Sequence, residues 1–439
     1  MAQDILDRLI AGTYPDPDGG SPLRVETRAV AIAKSLAGAE ADLVRPLSLG
    51  RRLAVVSDPT THAIMGARIE RALKSVGEVI SVVLPEHPHA DAATVDRLRE
   101  ATRSADALIA VGSGTINDLC KYASACDRKP YVVFGTAPSM NGYTSLNAAI
   151  TVNGHKKSLA AQAPLGAFLD LSILAAAPVR MIRSGLGDSL CRSTAQADWL
   201  LSHLLLDLPY RTMPFALLAE DEPALFASAG PLVNGDLGAM EKLVRTLLLS
   251  GFGTAICGNS LPASQGEHLI SHYGDMLPDP GRPFSFHGEQ IGVTTLTMAR
   301  LQGRLLDGPP PTVAADTSAE SDFISRFGPV LGPSCWKDFS QKRLTEKAAE
   351  AINQKIAARW SDIRAAIDAI SLHANMLALV LKEANAPRSP EDLGWPRPSY
   401  EDAVRHARKI RNRYTFLDLA ADAGVLEGAI PAITGGAAC

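Results

Sequence analysis

Through roughly the first 175 residues, short apolar runs alternate with polar stretches of helical spacing. Residues 52–57 are an apolar run that ends at Asp58-Pro59, as a strand meeting a turn would. Residues 61–75 then carry helical spacing. Residues 78–84 form a second strand-like run closed by Pro85, and 91–104 are polar with helical periodicity. Residues 107–111 are an unbroken apolar run that enters Gly112-Ser113-Gly114-Thr115; a helix is expected from about Ile116 and a further strand at 131–134. Continuous apolar strands alternating with helices predict a parallel sheet covered on both faces.

After about residue 175 the strand-like runs nearly vanish. Stretches rich in Ala and Leu with a 3.6-residue period occupy 188–206, 237–251, 289–306 and 342–382, while 308–321, which opens Gly-Pro-Pro-Pro, reads as a loop. No internal repeat is visible. A chain of 439 residues exceeds one ordinary core, so two domains are expected: an α/β domain over 1–175 and an all-helical domain over 176–439.

Composition narrows this picture. A hydrophobic share of 46% with 21% charged residues is that of an ordinary globular chain. A net charge of -4 offers no electrostatic case for nucleic acid. No apolar window approaches the ~18 residues of a membrane span, and Met1–Arg8 does not read as a secretory signal. The six Cys show no C-x-x-C spacing, which suggests free thiols in a reducing compartment, and the cytoplasm is the expected location.

Candidate chemistry is concentrated in a few segments. Three of the ten His fall within 268–287: His268 and His272, four apart in Glu267-His268-Leu-Ile-Ser-His272, and His287 in Phe-His-Gly-Glu. On a helix, i and i+4 share one face, and neutral imidazole is a common metal ligand. The same spacing also suits a capped helix with incidental histidines, and Glu267 precedes the first His, unlike the zinc-protease pattern. The turn Gly112–Thr115, between strand and helix, would let backbone N–H groups approach a phosphate, or would be a plain tight turn with Asn117 or Asp118 capping the helix. Asp58 could bond a ribose hydroxyl or simply form the turn before Pro59. The small-residue loop Thr136-Ala-Pro-Ser139-Met-Asn141-Gly-Tyr-Thr-Ser145 follows the next strand, where α/β proteins hold ligands. Asp188, after Gly185-Leu-Gly, is either an N-cap or a carboxylate completing an Asp/His/His metal set. Lys156 and Lys157 are candidates for a substrate phosphate, or solvated lysines at a hairpin tip.

Taken in order and spacing over about residues 50–300, these segments resemble the glycerol-1-phosphate dehydrogenases of the iron-containing alcohol dehydrogenase and dehydroquinate synthase-like superfamily, with a weaker echo at Arg413-Tyr-Thr-Phe-Leu-Asp418. The resemblance implies a nucleotide-binding α/β domain and a helical metal-binding domain. It implies one divalent metal, zinc or nickel with iron as a further candidate, on Asp188, His268 and His287. It implies NAD or NADP, with phosphates at Gly112, Ser113, Gly114 and Thr115 and the nicotinamide side near Thr136 and Ser139; Asp58, Asp118 and Ser145 complete the expected cofactor contacts. His272 and Asn141 are the expected catalytic and substrate-contacting residues, beside Lys156 and Lys157. Relatives commonly carry Asp where Asn141 stands, and Asn can hydrogen-bond a hydroxyl but cannot act as a base. The expected substrate is a small polyol phosphate, interconverted as dihydroxyacetone phosphate and sn-glycerol 1-phosphate. The expected assembly is a homodimer or higher homo-oligomer, with no nucleic-acid or membrane partner. Two rivals are a dehydroquinate synthase-like lyase with transient NAD redox and a non-catalytic metabolite-binding relative.

Overall fold

The apolar runs become strands. In the computed structural model, which describes residues 4–152, 155–277 and 281–435, six strands form one parallel sheet: β1 (Ala29–Ala33), β2 (Arg52–Ser57), β3 (Glu78–Val83), β4 (Ala107–Gly112), β5 (Tyr131–Gly135) and, after the antiparallel hairpin β6 (Asn147–Val152) and β7 (His155–Ala160), β8 (Gly166–Asp170). The order across the sheet is β1-β8-β5-β4-β2-β3. The central strands β4, β5 and β8 are buried along their whole length, whereas the edge strand β3 is only half covered. That difference is why β4 and β5 read as continuous apolar runs. Leu53, Val55, Ile109, Val111, Phe134 and Phe168 meet Met65 and Ile69 in the core on one face.

The sheet reverses its winding at β2. The chain runs from β2 outward to β3, then crosses back to β4 on the other flank of β2. Doubly wound sheets bind ligands at such a reversal, outside the carboxyl ends of the strands. Here those ends are Ser57, followed by Asp58, and Gly112, followed by Ser113.

The helices depart from the sequence reading in several places. Residues 59–73 form three pieces, with a π-helical turn at His62–Gly66 between Pro59–Thr61 and Ala67–Leu73. Helix α1 covers Ala92–Ala101, capped by Asp91. Helix α2 spans Gly114–Asp127, two residues earlier than expected, so Asn117 and Asp118 lie inside it and cap nothing. Helix α3 runs from Val179 to Leu206, which puts Asp188 mid-helix and excludes an N-cap role. Strands β1 and β8 were not foreseen. Both are short five-residue segments, Ala-Val-Ala-Ile-Ala and Gly-Ala-Phe-Leu-Asp, and they pair with each other and, through β8, with β5.

Packing groups the chain into two units, Met1–Ser189 with Thr212–Ser260, and Leu190–Arg211 with Leu261–Cys439. The first therefore holds the sheet, the opening turns of α3 and helix α4 (Leu237–Cys257). The second is helical: α5 (Gly266–Met276), α6 (His287–Asp307), α7 (Glu320–Phe339), α8 (Glu346–Asp368), α9 (Ala374–Glu383), α10 (Arg397–His406), α11 (Phe416–Asp422) and α12 (Leu426–Thr434). The apolar stretch 342–382 thus divides into α8 and α9, with residues 369–373 outside any helix. Its core joins Leu201, Leu269, Ile270, Leu301, Phe323, Trp360, Tyr400 and Phe416. Asp198, fully buried on α3, accepts from the Gly266 and Phe416 amides at 2.9 Å each and from Gln302 at 3.3 Å, so one carboxylate joins α3 to α5, α6 and α11. Among the described residues, no helix is long and apolar enough to cross a membrane.

Candidate active site

The turn after β4 is built to keep side chains out. A Cβ on Gly112 would lie 2.5 Å from Ile116 Cβ, so only glycine lets α2 start directly against the strand end. Ser113 is the N-cap position with extended backbone and makes no side-chain cap, and Gly114 and Thr115 form the first helical turn. A Cβ on Gly114 would meet only the Met140 side chain, at an ordinary 3.4 Å from its Cγ. The open side of Gly114 and the amino-terminal end of a 14-residue helix suit an anion approaching the backbone. Asp58 caps the short helix after β2: its carboxylate accepts from the Thr61 amide at 2.8 Å, and the Thr61 hydroxyl accepts from the Asp58 amide at 3.0 Å.

The loop after β5 is held from several sides. The Thr136 amide donates to the Gly112 carbonyl at 3.2 Å, which continues the β4–β5 ladder past the strand end. Ser184 Oγ donates to the buried Ser139 carbonyl at 3.0 Å, and a Cβ on Gly185 would overlap the Pro138 carbonyl, so the loop lies directly on α3. The Asn141 amide donates to Asp188 Oδ2 at 2.8 Å. Asp188 itself is buried. Ser145 Oγ accepts from the ammonium of Lys121 at 3.1 Å and lies 3.1 Å from the Gly142 and Asn147 carbonyls. Asp118 Oδ2 accepts from the Ala149 amide at 3.0 Å, tying α2 to the hairpin. Lys157 is exposed on β7, opposite Ile150, and the side chain of Lys156 lies outside the described residues.

Helix α5 and the start of α6 bring the three histidines together. Ring centroids are 5.7 Å apart for His268–His272, 5.2 Å for His268–His287 and 5.9 Å for His272–His287. The i, i+4 spacing sets the first two on one face of α5. His287 is the opening residue of α6, whose start is held by Glu289 Oε2 accepting from the Phe286 amide at 2.9 Å. A bond from Ser271 Oγ to Gln290 Oε1 at 2.6 Å joins the two helices beside the rings. Behind His268 stands Glu267, fully buried. Its Oε1 lies 2.9 Å from His268 Nδ1 and accepts from the Gln265 amide at 2.7 Å, and Oε2 accepts from Thr194 at 3.2 Å. Burial pushes the Glu267 carboxyl up, but its bond with His268 and the amides outweigh burial and hold it below the usual glutamate range. An anionic Glu267 keeps the proton on Nδ1 and directs Nε2 outward, the arrangement by which proteins orient metal-binding histidines.

Asp188 lies on α3, in the first unit. It precedes Cys191 by three residues on α3, close to one helical turn, and Cys191, Glu267 and His268 present ligand-type atoms within 4.8 Å of one another. Carboxylate and imidazole donors suit zinc, nickel or iron and leave positions for a substrate oxygen.

Two residues that do most to organise these segments went unread in the sequence. Glu267 was noted only for its place before the first His. Lys121 is absent from the candidates above, although it occupies the buried face that also carries Asn117, Cys120 and Ser124. A lysine on an otherwise uncharged inner face was the available signal.

The family model described as iron-containing alcohol dehydrogenase matches residues 31–178. Glycerol-1-phosphate dehydrogenase, NAD(P)+, of Bacillus subtilis (strain 168) is 27% identical over 407 residues, 91% of this chain and 92% of that protein. The enzyme of the same name from Pyrococcus furiosus is 32% identical over 334 residues, 74% of this chain and 95% of the relative. Among solved structures, glycerol dehydrogenase from Schizosaccharomyces pombe shares the fold with a TM-score of 0.64 at 17% identity, covering 96% of this chain and 92% of that one.

Proposed function

The chain belongs to the glycerol-1-phosphate dehydrogenase family, within the iron-containing alcohol dehydrogenases, and is an oxidoreductase; we propose that it interconverts dihydroxyacetone phosphate and sn-glycerol 1-phosphate with NAD or NADP and one divalent metal. The observation that carries this reading is the convergence of His268, His272 and His287 with Glu267 buried behind His268. Asp188, His268 and His287 would hold the metal, and the donor set fits: one buried carboxylate, and an imidazole already oriented by a carboxylate. When bound, the metal supplies a Lewis acid for the C2 oxygen and the nicotinamide supplies or accepts hydride.

The chain's own residues supply binding and proton transfer. Backbone amides of Gly112–Thr115 would hold the cofactor pyrophosphate at the start of α2, with Thr136 and Ser139 toward the nicotinamide. Asn141, whose amide already orients Asp188, would hydrogen-bond a substrate hydroxyl without taking its proton. His272, half-buried beside the other two imidazoles and outside the ligand set, would pass a proton between the substrate oxygen and water. Ser145 and Asp118 would serve the cofactor through the loop and hairpin they brace. Exposed Lys157, with Lys156, remains the proposed anchor for the substrate phosphate.

The test is a substrate screen with metal-loaded protein, following NADH and NADPH absorbance. Net cofactor consumption with dihydroxyacetone phosphate is expected, and none with any polyol phosphate under either cofactor would sink the reading. His268→Ala and His287→Ala should lose metal and activity together, whereas His272→Ala should keep metal and lose rate.

A further inference from the structure

Lys121 is a fully buried ammonium with no part in the chemistry proposed above. It lies on α2, two turns beyond the Gly112–Thr115 turn. Taking an ion out of water costs several kcal/mol unless its donors are satisfied. Here the three donors of one ammonium face three oxygens of a single loop: the Gly142 carbonyl, Ser145 Oγ at 3.1 Å and the Asn147 carbonyl at 3.1 Å. Asp118, 3.9 Å away on the same helix, is the nearest counter-charge. One residue before Gly142, the Asn141 amide donates to Asp188 Oδ2. The path from the ammonium to the carboxylate thus passes through two adjacent loop residues, all within the first unit.

We propose that Lys121 is a positioning residue: by fixing the 141–147 turn from inside, it aims the Asn141 amide at Asp188 and so sets the strength with which the chain holds its divalent metal. The inference rests on Asp188 being a ligand, as proposed above. Groups that orient ligands typically change metal affinity 10–100-fold when removed. A lysine that merely filled the core would change stability and leave metal affinity alone.

The experiment uses the full chain with zinc as the probe, measuring affinity by chelator competition beside thermal melting. Lys121→Met keeps the length and apolar stem and removes the donors; about a 10-fold loss of zinc affinity is expected. Ser145→Ala removes one of the three acceptors and should shift affinity the same way by less. Lys342→Met removes a buried ammonium paired with Asp418 at 2.7 Å in the second unit and should lower the melting temperature with zinc affinity unchanged. Wild-type zinc affinity in folded Lys121→Met, or an equal loss in Lys342→Met, overturns the proposal. Should Lys121→Met not fold, Ser145→Ala decides, and wild-type affinity there overturns it. Full zinc occupancy in His268→Ala would instead sink the ligand assignment itself.

Discussion

At the scale of single residues, two glycines separated only by Ser113 have opposite tolerances. Gly112 has no room for a Cβ against Ile116, whereas Gly114 does against Met140. Gly112→Ala should therefore destabilise the fold by about 1–3 kcal/mol through overpacking. Gly114→Ala should melt near wild type and bind NAD(P)H more weakly, because its methyl would stand where the pyrophosphate meets the backbone. Melting curves and nicotinamide fluorescence separate the two, and unchanged cofactor affinity in Gly114→Ala would return the turn to a purely local role. Glu267→Gln keeps shape but removes the charge that fixes the His268 tautomer. Metal affinity should drop roughly 10–100-fold, measured by the same zinc competition.

At the scale of elements, the loop after β5 is seated on a helix. Gly185 gives α3 a smooth surface there, and Gly251 does the same on α4, where a Cβ would crowd Thr144 and the Asn141 carbonyl. Gly185→Ala should lift the Pro138–Gly142 segment, costing about 1–3 kcal/mol of stability and loosening the bond that orients Asp188. A variant that melts like wild type and retains zinc equally would show the loop adapting instead. None of this packing is visible in periodicity. The run Gly185-Leu-Gly-Asp reads naturally as a helix start, since glycine disfavours helix interiors. Tertiary contact overrides that preference, and α3 runs through it.

At the scale of the whole molecule, the second unit carries an acid-sensitive point in its helical core. Burial, then the nearby Arg326 guanidinium, pushes the His406 imidazole down to about 4, against the pull of Asp402. The unfolded chain then takes up this proton first, so stability present above pH 6.5 is lost as pH falls toward 4, by on the order of 2 kcal/mol. His406→Gln should flatten the fall of melting temperature over that window, and an unchanged slope would mean His406 titrates normally. The division into units also belongs to this scale: residues 212–260 return to the sheet unit after α3 has left it. A linear reading draws one boundary where strands give way to helices, because it sees element type and not packing partners.

The sequence alone determined what depends on local pattern. Buried parallel strands appear as unbroken apolar runs, the helical half by its 3.6-residue period, and the three histidines by their spacing on and after α5. It also held the glycines of the turn after β4, where Gly112 leaves no room for a Cβ. The tertiary structure decided what depends on partners distant in the chain. Strands β1 and β8 exist because they pair, and Asp188 is mid-helix because α3 packs through its glycines. Ser145 bonds to Lys121, and Glu267 stands behind His268 because Thr194 and the Gln265 amide hold it there. The physical reason is the same in each case: periodicity reports which face of an element is buried, but a buried polar group takes its role from the atoms that satisfy it, and those come from elsewhere in the chain.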